Sequence, residues 1–202
     1  PHALIRIQPM QCVTESHEED MELISQVKHI APGMLFMLHN SNSDEIIIFS
    51  PPAHDTDFAA LLEVYRLETL DTSSTPILLS AYEKMMAFGP RTIPNHDRDD
   101  PEVMELPVPR FFSNCSNRNE IGELVGAVEL PILPDVVIDI WQSDSGRVWA
   151  TTSIDGVHFA LLEKLCVVSE VRWGFTTIVR IELLGRNCVS GAILEESIKI
   201  TT

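Results

Sequence analysis

The sequence predicts an α+β fold, and two features support that prediction. The first is the order of patterns from residue 3 to about residue 67, which reads as strand, amphipathic helix, two strands and a second amphipathic helix. The second is a β-rich second half, in which short apolar runs alternate with polar connections. A chain of 202 residues is long enough for one sizeable core or for two small ones of about 70 to 100 residues each.

The first strand and the first helix are predicted before residue 34. Residues 4–8 alternate like a strand with one buried face. Ser16 and Glu19 form a capping box, and the acidic residues around Glu19 complement the positive end of a helix. The apolar residues that then recur at helical spacing are Met21, Ile24, Val27 and Ile30. Pro32 and Gly33 end this helix.

A hairpin and a second helix are expected next. Residues 34–38 and 45–49 are apolar runs joined by a polar, turn-rich loop, which predicts a hairpin. Asp55 or Asp57 can cap a following helix whose apolar positions are Phe58, Leu61, Leu62 and Tyr65. With a final strand near residues 68–74, the order βαββα(β) is that of a ferredoxin-like sandwich, which we assign to a first domain at residues 1–74.

The second half predicts a further α/β domain at residues 75–202. Residues 75–89 fit two structures, because Thr75-Pro76 favours a helix start whereas residues 77–79 suit a strand equally well. A charged loop is expected at residues 95–105, and residues 95–102 form the charged break within it. The predicted strands are residues 108–113, 121–130, 136–141, 147–152, 178–184 and 193–200. Residues 157–173 predict a helix, because Phe159, Leu162, Cys166 and Val167 fall at helical spacing.

Charge excludes one class of function. The 30 acidic and 14 basic residues give a formal net charge of −16, which is unsuited to a broad phosphate-neutralising face. Any contact with RNA is therefore expected to be local. The simplest use of this charge is a solubilising surface.

Cysteine usage and hydropathy indicate an intracellular protein. The four cysteines contain no CxxC pair, and Cys12, Cys166 and Cys188 sit among apolar residues, as reduced buried thiols do. No apolar run approaches the roughly 18 residues of a membrane span. The chain begins at Pro1 instead of a methionine, and we expect it to be part of a longer protein.

Two histidine clusters are candidates for chemistry, and both have a simpler explanation. His96 is followed by Asp97, Asp99 and Asp100, but the segment lacks the glycine and the distal glutamate of a calcium loop, so a solvated acidic loop is favoured. His54 lies beside Asp55 and Asp57, which serve more simply as helix caps. The chain has neither a G-x-S-x-G elbow nor a G-x-x-x-x-G-K-[ST] loop. We therefore predict no catalytic residue, metal or cofactor in this chain.

A polar segment at residues 113–119 is the best candidate for recognition. It separates two apolar runs and is either an ordinary hairpin connection or a contact loop. Arginine and asparagine side chains at a loop tip can donate hydrogen bonds to phosphates or bases. The predicted contact residues are Asn114, Ser116, Asn117, Arg118 and Asn119.

At this segment the chain resembles domains III and IV of the translocase-type GTPases. That family includes elongation factor G, eukaryotic elongation factor 2 and its spliceosomal paralogue. The similar stretches are residues 4–7, 18–34, 75–85, 113–131, 138–141 and 166–174, which are colinear over nearly the whole chain. In this resemblance residues 75–85 form a strand, and residues 113–131 form the hairpin at the tip of domain IV.

The resemblance implies a non-catalytic arm of a translocase-like GTPase that docks within a ribonucleoprotein. Its partners would be ribonucleoprotein proteins, RNA at the hairpin tip and an upstream GTPase domain, without a membrane. Residues 50–54 replace a segment that is usual in the family. The resemblance slightly favours splicing over translation, because the chain diverges at positions that contact the ribosome in the translation factors. A nuclear location follows for a splicing protein and a cytoplasmic one for a translation factor. The alternatives are a stand-alone acidic interaction or structural subunit and, less favoured, a small enzyme that uses His54 or His96.

Overall fold

The computed structural model describes residues 17–52, 62–86, 90–95, 104–109 and 120–200. The helices in these ranges are α1 (His17–Ile30) and α2 (Ala81–Met86). The strands are β1 (Phe36–Asn40), β2 (Ile46–Ser50), β3 (Glu63–Leu67), β4 (Ile77–Leu78), β5 (Arg91–Pro94), β6 (Glu105–Pro107), β7 (Ile121–Glu129), β8 (Val137–Ser143), β9 (Val148–Ile154), β10 (Val157–Arg172), β11 (Phe175–Arg186) and β12 (Ile193–Lys199).

The described strands form one curled sheet. Its main path is β4-β3-β2-β1-β10-β9-β8-β7-β5, while β11 and β12 continue from β10 and β6 pairs with β7. β1 and β10 are parallel, and the other described pairs are antiparallel. One edge of β10 pairs with β9 up to Leu161 and then with β1 from Lys164 onward, and its opposite edge pairs with β11. β10 therefore joins the two halves of the sheet.

The curl encloses a core to which both halves contribute. Phe36 of β1 and Phe49 of β2 stack with their ring centroids 4.4 Å apart. The same cluster contains Ile140 of β8, Leu162 of β10 and Ile181 of β11. The sheet and its core are thus continuous across residue 74, where the sequence predicted the boundary between the domains 1–74 and 75–202.

Helix α1 covers the outer face of the first half of the sheet. Its buried residues Ile24 and Val27 pack against Met37, Ile48 and Leu67. Acidic residues occupy its first turn and Lys28 and His29 its last turn, as the helix dipole favours. The predicted first helix is confirmed, and burial of its apolar stripe fixes where it lies.

Buried charges hold α1 in addition to these apolar contacts. A register shift in β10 falls between Leu162 and Lys164, and the consecutive residues Glu163 and Lys164 are each only 3% exposed. The Glu163 carboxylate accepts hydrogen bonds from Lys28 Nζ at 2.9 Å and Arg186 Nε at 3.0 Å. Lys164 pairs with Asp20 of α1. Each buried charge therefore has a partner of opposite sign.

The mixture of helices and strands is confirmed, and so is the hairpin at residues 34–49, which is the antiparallel pair β1 and β2. β7, β8, β9, β11 and β12 confirm the predicted strands at residues 121–130, 136–141, 147–152, 178–184 and 193–200, with shifts of a few residues at their ends. The predicted first strand at residues 4–8 lies outside the described residues. Of the strand expected at residues 108–113, Val108 and Pro109 follow the end of β6, and the rest is not described.

The prediction of a second helix in the ferredoxin-like pattern is wrong for Leu62 and Tyr65, the two of its apolar positions that the structure describes. Leu62 precedes β3 and Tyr65 lies within it, opposite Ile48 of β2. β3 buries Val64 in the main core and Leu67 against α1, so burial on two faces outweighs the helical spacing of the apolar residues. The strand expected at residues 68–74 is also wrong. That segment turns at Asp71, whose carbonyl accepts a hydrogen bond from Ser74 N at 2.8 Å.

Two further predictions are corrected by the structure. The helix expected at residues 157–173 is wrong, because β10 runs through residues 157–172. Residues 75–85 are neither one strand nor one helix. β4 covers Ile77 and Leu78 alone, and α2 begins after Ser80, whose backbone N and Oγ both donate to the Glu83 carboxylate. This cap ends the strand and starts the helix.

Candidate interaction sites

The flanks of the predicted contact tip lie side by side. Asn114, Ser116, Asn117, Arg118 and Asn119 all fall outside the described residues. Before them, β6 pairs antiparallel with β7, so that Pro107 is opposite Ile121 and Glu105 is opposite Glu123. Val108 N also donates to Glu120 O at 3.3 Å. The polar segment therefore leaves and re-enters the sheet at neighbouring positions.

Glu120 fastens the second flank to the turn between β8 and β9. Its carboxylate accepts a hydrogen bond from Ser143 Oγ at 2.6 Å and another from Ser145 Oγ. These hydrogen bonds hold the pKa of Glu120 below its ordinary value, because they favour the ionised carboxylate. The Glu120 carboxylate thus holds the start of β7 against the turn between β8 and β9.

The two histidine clusters of the sequence lie outside the described residues. They are His54 with Asp55 and Asp57, and His96 with Asp97, Asp99 and Asp100. Across the part of the chain that the structure describes, no three His, Cys, Asp or Glu side chains come close enough to hold a metal ion.

The structure reveals a second candidate that sequence analysis missed, a hairpin arm at residues 169–178. Val167 is the last β10 residue that pairs with β1, and Arg180 is the first β11 residue that pairs with β12. Between them, the ends of β10 and β11 pair with each other and with no other described strand. The arm therefore extends beyond the edge of the sheet.

The tip of this arm is apolar and exposed. Trp173 is 98% exposed, Phe175 is 76% exposed and Val171 is 67% exposed. Trp173 and Gly174 form the two-residue turn, because Arg172 pairs directly with Phe175. Three large apolar side chains are thus exposed within the five residues 171–175, whereas exposed apolar residues on a protein surface are normally scattered singly.

The base of the arm is fixed by the loop between β1 and β2. Asn42 Nδ2 donates to Ser169 Oγ at 2.6 Å and to Ser169 O at 3.0 Å. Ser41 N donates to Val167 O at 2.9 Å. Ser169 is buried, so these hydrogen bonds anchor the arm at the point where it leaves the sheet.

A cavity of about 490 Å³ lies beside α1, and His39 is one of the residues that line it. Burial lowers the pKa of His39 below its ordinary value, and the nearby Lys164 ammonium lowers it further. Thr69 also lines this cavity, but its hydroxyl is hydrogen-bonded to Ser74 Oγ at 2.6 Å. The Thr69 hydroxyl is therefore already hydrogen-bonded to a neighbouring serine.

The described cysteines are shielded from reaction. Cys166 is buried. The Cys188 thiol donates to Phe159 O at 3.0 Å, and burial raises its pKa to about 11. Because the thiolate is the nucleophilic form, the raised pKa leaves little of the Cys188 thiol in that form at neutral pH.

No protein family, curated protein or solved structure matches this chain. Neither helix of the described residues has the length and apolar character that crossing a membrane requires.

Proposed function

We propose that this chain is a non-catalytic docking arm of a larger assembly, with its polar tip at Asn114, Ser116, Asn117, Arg118 and Asn119. The observation that carries the proposal is the antiparallel pairing of β6 with β7 on either side of this segment. A rigid sheet that holds both ends of a polar segment together is a common support for a recognition loop.

The chemistry of the tip suits a local contact with RNA or with a polar protein surface. Arg118 supplies a guanidinium fork, and the three asparagines supply amide donors and acceptors. The remaining chain is strongly acidic, so a nucleic acid would be repelled elsewhere and held only at this segment.

The finer proposal is an arm of a translocase-like GTPase within a ribonucleoprotein. It rests on the colinear resemblance to domains III and IV of that family, and splicing is slightly favoured over translation. In this proposal the GTPase chemistry belongs to an upstream domain, and this chain needs no catalytic residue, metal or cofactor of its own.

The experiment is a pull-down from cell lysate with this chain as bait, read by mass spectrometry and RNA sequencing. Spliceosomal proteins with small nuclear RNA support the splicing arm, and ribosomal proteins with ribosomal RNA support the translation arm. The double variant Arg118→Ala, Asn119→Ala is expected to lose these partners. Lys199→Ala, which removes one exposed positive charge from β12, is the matched control and is expected to keep them. Equal recovery by both variants would show that the tip assignment is wrong.

The second candidate function is a stand-alone acidic interaction or structural subunit. It is favoured by the departure from the ferredoxin-like pattern at β3 and by the single sheet that spans both halves of the chain. A coding sequence upstream of Pro1 that contains a phosphate-binding loop would exclude this candidate. Partners that survive nuclease treatment and include no ribonucleoprotein would support it.

A further inference from the structure

We infer that the hairpin arm at residues 169–178 is a second docking site, which inserts Trp173 into an apolar pocket on the surface of a basic protein. This inference is independent of the polar tip at residues 114–119, because the two sites use different strands. It rests on the turn geometry, the exposure of the tip, the fixed base of the arm and the charge of the chain.

The turn at Trp173 places tryptophan at a backbone position where asparagine or aspartate is usually found. Trp173 and Gly174 have φ values of 53° and 82°, and Asp155 and Gly156, which join β9 to β10, have 50° and 72°. Positive φ at both central residues defines the type I′ turn, in which Asn-Gly and Asp-Gly are the preferred pairs. The chain thus uses the preferred pair at one turn and tryptophan at the other. A bulky residue held at positive φ carries strain, and such strain concentrates at functional sites.

Folding does not explain a tryptophan at this position. Trp173 is 98% exposed, whereas Trp141 and Trp149 are fully buried in the fold. An exposed indole contributes little burial to stability, but it offers about 150–250 Å² for burial against a partner. Tryptophan is also enriched among the few residues that dominate binding energy at interfaces.

The arm presents its tip with little loss of conformational freedom. Its two strands pair continuously from Glu170 with Thr177 to Arg172 with Phe175. Asn42 holds its base through Ser169. A convex, preorganised tip of this kind fits a concave site, and preorganisation reduces the entropy lost on binding.

The net charge of the chain indicates which kind of partner would bind the tip of the arm. With a net charge of −16, the chain is repelled by an anionic membrane and by a second copy of itself. A protein with a basic surface around an apolar pocket is attracted instead, because complementary charges guide the encounter while the apolar tip supplies the affinity.

The test begins with a photo-crosslinking residue, p-benzoylphenylalanine, placed in the full chain at position 173 and, separately, at position 189. Val189 is 68% exposed in the connection between β11 and β12, so it controls for exposure of an apolar residue. A partner captured only from position 173 is identified and purified. Its net charge is calculated from its sequence.

Direct binding of the purified partner is then measured for Trp173→Asn and for Val189→Asn. Trp173→Asn is expected to weaken binding by about 30-fold, the factor equivalent to the roughly 2 kcal/mol of an interface hot spot. Val189→Asn is expected to leave binding unchanged. Because asparagine suits positive φ, the urea unfolding midpoint of Trp173→Asn is expected to stay the same or to rise, which separates docking from misfolding.

Three outcomes would overturn the inference. The first is equal capture from positions 173 and 189, or a captured partner whose surface is acidic. The second is cosedimentation of the chain with vesicles of phosphatidylcholine, alone or with phosphatidylserine, that Trp173→Asn abolishes, since this would identify a lipid surface. The third is a concentration-dependent dimer that Trp173→Asn dissociates in analytical ultracentrifugation, since the occupant would then be a second copy.

Discussion

Gly122 lies directly against the six-membered ring of Trp149, and the ring occupies the space that a β carbon at position 122 would need. Trp149 is fully buried beside Leu124 and Trp141. The glycine therefore forms one wall of the pocket that holds this indole.

We predict that Gly122→Ala lowers the free energy of unfolding by about 1–3 kcal/mol, the usual cost of overpacking a core. The measurement is urea denaturation followed by tryptophan fluorescence. Gly33→Ala is the matched control, because a β carbon there meets nothing within 4 Å, and it should cost no stability. Equal effects of the two substitutions would contradict the close approach of Gly122 to Trp149.

Thr151 provides the hydrogen-bond partner of a buried indole. Trp141 Nε1 donates to Thr151 Oγ1 at 2.8 Å, and both residues are fully buried. Thr151→Val keeps the shape but removes the acceptor, so we expect the free energy of unfolding to fall by about 1–3 kcal/mol. Thr176→Val, at an exposed position of β11, should change it by less than about 0.5 kcal/mol. Chemical denaturation of both variants measures whether the buried hydrogen bond contributes to the free energy of unfolding.

Glu163 compensates two cations that pack near α1. Glu163→Gln removes the charge but not the shape, and leaves Lys28 and Arg186 without their anion. We predict a loss of about 1–3 kcal/mol in the free energy of unfolding, below the range for a fully buried ion pair, because the Lys28 and Arg186 side chains are 40% and 27% exposed and water screens their charges. The control is Glu195→Gln, which breaks an exposed contact with His17 and should cost less than about 1 kcal/mol. A small, equal effect at both positions would show that the contacts of Glu163 with Lys28 and Arg186 do not stabilise the fold.

His39 should make stability fall in mild acid. Burial, followed by Lys164, lowers its folded-state pKa below the ordinary value of 6.5, whereas a hydrogen bond with the Ser43 backbone and then the charges of Asp20 and Asp44 oppose that shift. Below about pH 6.5 the unfolded chain therefore binds a proton that the folded chain refuses, so the free energy of unfolding decreases as the pH falls. The slope from one such group is at most about 1.4 kcal/mol per pH unit.

Urea denaturation between pH 7.5 and pH 5, a range set by the roughly 6.5 pKa of an unfolded histidine, measures this effect. His39→Gln is expected to flatten the dependence relative to the unsubstituted chain. His29→Gln, at an exposed position in the last turn of α1, is expected to retain it. Parallel curves for the unsubstituted chain and His39→Gln would mean that His39 does not carry the pH dependence.

Local chemistry explains what the sequence predicts correctly. The acidic first turn and apolar stripe of α1 act within a few residues, and so do the polar turn residues between β1 and β2. Helix α1 and the β1–β2 hairpin are therefore predicted correctly, because the residues that specify them are close together in the sequence. β7 and β8 alternate between buried and more exposed residues over part of their length, which allows them to be predicted directly.

The errors arise where burial on both faces hides the period of a strand. Every residue from Ala160 to Val167 is buried, including Glu163 and Lys164, so β10 lacks the alternation of a half-exposed strand. Apolar residues then fall at helical spacing by coincidence. The helix predicted at residues 157–173 also left no place for the hairpin arm, because Trp173 was its last residue and Trp-Gly is not a usual turn pair. The polar tip around Arg118 stays a prediction.

The position of β10 has a consequence for how this protein is made. Met37 pairs with Lys164, 127 positions later in the chain. A ribosome adds about 5–20 residues per second, so the newly made β1 edge waits roughly 6–25 seconds for the strand that covers it. During that interval an apolar strand edge is open to incorrect pairing. Cells that synthesise this chain should therefore depend on chaperones that bind nascent polypeptides.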